Sequence, residues 1–288
     1  MRKIKALCAA LLAFTGFTSI AQSTEHSLLW RISGKQMHKP SYLFGTMHLI
    51  CRSDFLWTSA MQQSLDKSEK VCLEMDMDDN NVMMQAAAGL IDNSGKKLRD
   101  YFTPDQYATI SKYIKDTYSF DLDMMQQMKP VALQTLITTQ SPLCQDPVSY
   151  EDSIMKIAHG TDKEIMGLEE VKEQLAVLES IPTDTVIKQL MDMINDSKEM
   201  DSEYTAMVSA YKSQDLPALY KQMEDSKDLQ NELGVFLDDR NKRWIPRMEN
   251  KMKGNSVFFA VGAGHLWGNN GVINLLRKAG YKVEAVKS

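Results

Sequence analysis

The end of the chain constrains the fold most. Ser256 to Gly262 (Ser-Val-Phe-Phe-Ala-Val-Gly) is a strongly apolar strand, Gly271 to Ala279 has amphipathic helical spacing, and Tyr281 to Val286 closes as another strand. Strand, helix and strand within about thirty residues make a parallel βαβ unit, which commits the chain to an α/β architecture. Other strands fit beside it. Leu28–Ser33 and Ser41–Thr46, joined by a turn from Gly34 to Pro40, read as a hairpin. Val71 to Asp76 is a short, mostly apolar run suited to a buried strand, and Glu164 to Leu168 is a further strand with Glu169 at its carboxyl end. Trp57 to Lys70 has helical spacing, with Met61, Leu65 and Ser68 on one face. From Asp79 to Lys251 helical patterns dominate. Thr103-Pro104 and Lys129-Pro130 are helix starts, the second helix ending near Ser141-Pro142, and Thr183–Lys212 and Leu229–Lys251 are long helical stretches. No Pro/Gly-rich linker divides the chain, so one α/β domain with a large helical insertion, about 79–251, is expected.

The chain opens with Met1-Arg2-Lys3-Ile4-Lys5, runs uncharged and mostly apolar from Ala6 to Ile20, and reaches small residues at Ser19 and Ala21. This order of charge, apolar stretch and small-residue exit is that of a secretory signal peptide, here residues 1–21, and it predicts export to a periplasm or to the outside. The apolar stretch is too short for a membrane anchor and no second long one follows, so no membrane span is expected after cleavage. Cys8 would be discarded with the leader, leaving Cys51, Cys72 and Cys144, an odd number that allows at most one internal disulfide. Cys51 and Cys144 lie in polar, turn-like surroundings and are the expected pair; Cys72 sits in an apolar strand pattern, where a buried free thiol is expected. A net charge of −5 argues against nucleic acid as a partner. The 20 methionines read as fillers of irregular gaps between helices.

Two segments repeat one pattern. Leu43-Phe44-Gly45-Thr46-Met47-His48 and Ala260-Val261-Gly262-Ala263-Gly264-His265 are each an apolar strand, then glycine, two residues and histidine. Glycine lets the chain turn at the strand end, and the carboxyl ends of parallel strands are where ligands bind. If the two strands are neighbours, the imidazoles converge. Glu74 and Glu169 also stand at strand ends, and two histidines with a carboxylate are a recognisable metal set. A single G-x-x-H is weak evidence. Two of them, with only three other histidines in the chain, say more, and either a metal site or two histidines fastening loops satisfies the pattern. Glu74 read alone also suits a strand-end carboxylate paired to an arginine, and Glu169 suits a first-turn helix residue favoured by the dipole. His159 before Gly160 reads as a helix C-terminal histidine; His26 and His38 read as surface. There is no H-E-x-x-H helix, G-x-S-x-G elbow or P-loop.

Taken in order, Tyr42-Leu43-Phe44-Gly45-Thr46-Met47-His48, Leu73-Glu74-Met75-Asp76, Val148-Ser149-Tyr150-Glu151, Gly167-Leu168-Glu169, Arg240-Asn241-Lys242-Arg243-Trp244 and Ala260-Val261-Gly262-Ala263-Gly264-His265-Leu266 resemble the TraB/GumN (TraB–PrgY–TIKI) family over Leu28 to Val286. The resemblance implies a mixed, largely parallel sheet flanked by helices, like the erythromycin-esterase and ChaN type, spanning 22–288 as one domain. It implies divalent-metal-dependent proteolysis, with His48 and His265 as metal ligands, Glu74 as ligand or general base, Glu169 as a second carboxylate, and Arg240 and Asn241 as the family's Arg-Asn pair. The residue before that pair is often Glu in the family and here is Asp239, which leaves its role open. Glu151 near the start of a helical stretch reads more simply as a dipole or cap residue. The expectation is an exported hydrolase, a peptidase by resemblance, acting on a peptide or small molecule with Mn, Co, Fe or Zn. The rival is a non-catalytic peptide- or ligand-binding envelope protein of the same fold.

Overall fold

Leu29–Ser33 (β1) and Ser41–Thr46 (β2) pair antiparallel, with Trp30 opposite Leu43, as the hairpin expected. This computed structural model describes residues 26–139, 144, 146–226 and 232–287, with side chains at 139 and 197–200 left aside. The leader at 1–21 and the helix end near Ser141-Pro142 fall outside them. After β2 come Ile50–Cys51 (β3), Ser59–Lys67 (α1), Lys70–Leu73 (β4), Asn80–Gly89 (α2), Pro104–Tyr118 (α3) and Pro130–Thr139 (α4). Next are Pro147–Val148 (β5), Tyr150–Gly160 (α5), Glu164–Gly167 (β6), Val171–Glu179 (α6), Thr183–Asn195 (α7), Ser197–Lys212 (α8) and Leu216–Asp225 (α9). A π-helical turn at Gly234–Asp238 leads into Asp239–Lys251 (α10), and Val257–Gly262 (β7), Val272–Lys278 (α11) and Lys282–Ala285 (β8) follow.

Six strands form one sheet in the order β6-β4-β7-β2-β1-β8. β2 and β4 run parallel to β7, and β6 parallel to β4, while β1 is antiparallel to both its neighbours. The sheet is therefore mixed and largely parallel, with helices flanking it. β8 has the same direction as β7, as a βαβ unit requires, yet the two are not adjacent: the N-terminal hairpin lies between them. Central position explains composition. β2 is buried along its whole length and β7 in all but its last residue, and neither alternates polar with apolar.

Local signals set the helices. Thr103 accepts the Gln106 N–H at 3.3 Å and Pro104 fills the first turn of α3. The Thr183–Lys212 stretch breaks once, between α7 and α8. α10 buries Arg240, Asn241, Trp244, Ile245 and Met248, a stripe with helical period that mixes polar and apolar groups. The region 79–251 is largely helical, but it also returns β6 to the sheet. Two apolar cores result. One is built on the sheet and includes Trp30, Phe44, Phe258, Phe259 and Trp244; the other lies within the insertion, where Leu98, Ile110, Ile114, Leu133, Ile137 and Leu190 bring α3, α4 and α7 together. Cys51 is bonded to Cys144 with Cα atoms 5.4 Å apart, and β3 pairs with β5 beside it. Cys72 is free and buried. The disulfide and the short ladder tie the loop after His48 to the start of α5.

Candidate functional site

The sheet order arrays the chemistry. At one edge the carboxyl ends of β6, β4, β7 and β2 lie side by side, and the chain leaving them carries Glu169, Glu74, His265 and His48 in that order. Thr46 lies beside Gly262 in the β2–β7 ladder, so the two G-x-x-H turns are neighbours. Glycine is needed here for closeness rather than for turning: neither Gly45 nor Gly262 has a positive φ. A Cβ on Gly262 would stand 3.3 Å from Glu74 Oε1, and one on Gly45 3.1 Å from the Cα of Ala263. The Gly262 N–H donates to Glu74 Oε1 at 2.8 Å.

Arg240, brought in by α10, is buried at the centre. Its Nη2 donates to Glu74 Oε2 at 2.6 Å and to Glu169 Oε2 at 2.8 Å, and its Nε donates to both Glu169 oxygens. The Glu169 side chain has 0% exposure and also lies 3.6 Å from Arg243. Arg240 Nη1 reaches the Phe236 carbonyl at 3.3 Å and His265 Nε2 at 3.2 Å, and the guanidinium lies 5.0 Å above the Trp244 ring. Arg240 is thus a buried clamp on two carboxylates.

His265 is buried, with its ring 4.3 Å from that of Trp244. Asn241 fixes its tautomer. The Asn241 amide donates to the carbonyls of His265 (3.2 Å) and Asn270 (2.9 Å), so its oxygen must accept, and His265 Nδ1–H donates to it at 2.7 Å. Nε2 therefore carries a lone pair, directed toward Arg240, and lies 3.9 Å from Glu74 Oε1. Burial pushes the His265 pKa down to about 3, so the ring is neutral at neutral pH. Burial pushes Glu74 up, but His265, Arg240, His48 and the Gly262 N–H overcome it and hold the carboxyl at about 2. With His265 neutral, the cations that keep Glu74 ionised at neutral pH are Arg240, in direct contact, and His48.

His48 differs from its twin. Its side chain is 68% exposed and lines a concave cavity. Nδ1 lies 3.2 Å from Glu151 Oε1, and this hydrogen bond raises the His48 pKa to about 9. Glu151 is buried and also accepts from Thr46 Oγ1 at 2.6 Å and Ser149 Oγ at 3.1 Å. It does lie in the first turn of α5, but Ser149 is the cap, so the carboxylate is free to orient His48. Sequence reasoning missed this role. The signal was present in Ser149 itself: once a serine caps a helix, a buried glutamate two residues later needs another partner.

A cavity of about 580 Å³ opens over His48, Glu74, Arg240 and His265, and a second of about 470 Å³ shares His48, Glu74 and Arg240 with it. Glu169 and Asn241 line neither; they lie behind Arg240 and His265 and position them. Among the described residues no three His, Cys, Asp or Glu side chains are gathered closely enough to hold a metal ion as placed. Arg240 instead meets both groups, with Nη1 at His265 Nε2 and Nη2 at Glu74 Oε2. The donor chemistry nonetheless fits a divalent ion. Two imidazoles and a carboxylate are a suitable set, and His265 and His48 each have Nδ1 engaged by a neighbour, which leaves Nε2 as the ligating atom. Among the described residues no helix is long and apolar enough to cross a membrane.

Fold and site together define an α/β protein in which two G-x-x-H turns share one cavity with a carboxylate–arginine cluster. The chain belongs to the TraB/PrgY/gumN family, whose profile matches residues 28–285. It is similar to the Metalloprotease TIKI2 of Xenopus tropicalis, with 26% identity over 94% of this chain and 62% of that one. It is also similar to the Metalloprotease TIKI homolog of Amphimedon queenslandica (24%, 91% and 62%) and the Metalloprotease TIKI1 of Homo sapiens (23%, 91% and 62%). The chain thus spans about 62% of the length of these relatives. No solved structure matches it.

Proposed function

We propose that this chain is an exported, divalent-metal-dependent hydrolase that acts on peptide bonds, with a fold akin to the erythromycin-esterase and ChaN type. The observation that carries the reading is the meeting of both G-x-x-H turns with Glu74 at one sheet edge, each histidine held by a neighbour at Nδ1. The names of the relatives supply the reaction class. Mn, Co, Fe and Zn all suit the donors, and His48, His265 and Glu74 would hold the ion, which would polarise a carbonyl and acidify water. Glu74, ionised and held by Arg240 and the Gly262 N–H, suits the role of ligand or of general base. Asn241 keeps the His265 lone pair on Nε2, and Glu151 holds His48 by Nδ1, so that the outer nitrogen of His48 would become a ligand on losing its proton. Arg240, anchored to Glu169 by Nε and Nη2, keeps Nη1 on the Phe236 carbonyl and on His265 Nε2, so its guanidinium holds the two carboxylates and the ring in place.

The contact of Arg240 with both His265 and Glu74 favours a second reading, capture of a peptide or other ligand at the same cavity without chemistry. Calorimetric titration with Mn, Co and Zn separates the two, on the protein from Gln22 and on His48→Ala and His265→Ala, each then incubated with a mixed peptide pool. Saturable binding lost in both variants, with metal-dependent cleavage, is the expected result. No binding of any of the three ions to the wild type would sink the metal reading and leave ligand capture.

A further inference from the structure

We infer that the larger cavity is a subsite for a bulky apolar side chain of an extended peptide whose backbone crosses between His48 and Arg240; this rests on the peptide-hydrolase reading of the same site. The two cavities meet at a waist made of His48, Glu74, Phe236 and Arg240, which line both. A chain lying across the waist therefore has room on either side of the chemistry.

The two sides differ in size. The smaller, of about 470 Å³, is lined by Leu73, Met75, Met77 and Leu178 together with Ser149 and Gln174. The larger one is walled by Met207 from α8, Leu219 and Met223 from α9, and Leu233 and Leu237 near the π-helical turn. Its volume of about 580 Å³ exceeds that of any single side chain. Methionine walls are flexible and polarisable and re-form around apolar groups of different shape. Met223 is also placed by the second G-x-x-H turn: a Cβ on Gly264 would stand 2.5 Å from its sulfur, so the missing side chain lets this wall rest on the turn that carries His265. Wall and chemistry are thus in register. Glu203 and Asp225 also line the larger cavity, Asp225 paired with Lys221, and a waist open to a cavity on each side suits a chain that continues past the chemistry better than a single-ended amphiphile.

The test is calorimetric titration of four blocked pentapeptides, acetyl-Gly-Gly-X-Gly-Gly-amide with Met, Leu, Asp or Lys at X, and of laurate, followed by incubation with metal. Ala206 lines the cavity from α8 and is exposed, so Ala206→Trp fills the space without disturbing a core. Met207, at 38% exposure, tolerates Met207→Asp. Thermal unfolding checks both. The Met and Leu peptides should bind the wild type roughly ten- to a hundredfold tighter than the Asp peptide. Ala206→Trp should erase that gap, and in Met207→Asp the Lys peptide should overtake Leu. Equal binding of the four peptides, no binding of any, laurate binding in their place, or a preference unchanged in both variants overturns the subsite. Preference without metal-dependent cleavage keeps the subsite and removes the hydrolase; cleavage of all four peptides at one rate does the reverse.

Discussion

Replacing Arg240 by methionine keeps a long stem and removes the guanidinium that serves two carboxylates. Glu169, with a side chain at 0% exposure, and Glu74, at 13%, would then lie buried without that cation. Removing one partner of a buried ion pair costs about 3–5 kcal/mol. For a domain of this size each kcal/mol lowers Tm by roughly 2–4 °C, so a fall of about 6–20 °C is expected. The pH dependence carries the argument further. In the wild type Glu74 has a depressed pKa, so its stabilising contribution is present above the ordinary carboxylate range and is lost only as pH falls toward about 2. Between pH 5 and 8 this contribution is constant. In Arg240→Met an unpaired buried carboxyl takes up a proton, its folded pKa rises above the unfolded one, and stability falls as pH rises through the folded value. The gap between wild type and variant should therefore widen from pH 5 to pH 8. Urea denaturation at both pH values measures it, with Arg240→Lys recovering only part of the loss because one ammonium cannot grip two carboxylates. A loss below about 1 kcal/mol, or a loss equal at the two pH values, would refute the clamp.

Three further outcomes follow from the same geometry. Asn241→Leu removes the acceptor of His265 Nδ1–H and should cost about 1–3 kcal/mol, with the other tautomer appearing in nitrogen NMR; an unchanged tautomer would show that Asn241 does not set it. The raised pKa of His48 gives stability that is full below its unfolded value near 6.5 and lost as pH rises through about 9. In Glu151→Gln its proton NMR titration should move back toward 6.5, and an unmoved midpoint would remove Glu151 from its orienting role. In the protein from Gln22, thiol reagent should find no reactive cysteine in the native state, since burial pushes Cys72 up to about 12, and one after unfolding without reductant. Three thiols under those conditions would rule out the Cys51–Cys144 bond.

The apolar runs made the sheet readable: Val257–Gly262 and Lys70–Leu73 are strands because both faces are covered, and continuous hydrophobicity announces that. Strand order was harder, because adjacency of β2 and β7 depends on pairing across almost the whole chain, and nothing local encodes it. His48 and His265 look alike in sequence yet differ in burial and in protonation, since their environments come from Glu151 on α5 and Asn241 on α10. Arg240 shows the limit most clearly. An arginine on a helix reads as surface, and only the burial of its whole stripe, together with Trp244 and Met248, turns it inward. The cavity walls were the least legible, because methionines scattered over α8 and α9 carry no pattern until those helices are folded over the sheet edge.

The position of the N-terminal hairpin between β7 and β8 has a consequence for how the molecule comes into being. β1 and β2 occupy places flanked by strands from the last part of the chain, and even the Ser256 hydroxyl that bonds the Pro40 carbonyl comes from 216 residues away. The hairpin emerges first from the ribosome but lacks both sheet neighbours until synthesis is nearly complete. Contacts of such sequence separation make folding slow. During that interval the hairpin has no sheet to join, and the edge that carries both histidines and Glu74 comes into existence only when its final strand arrives.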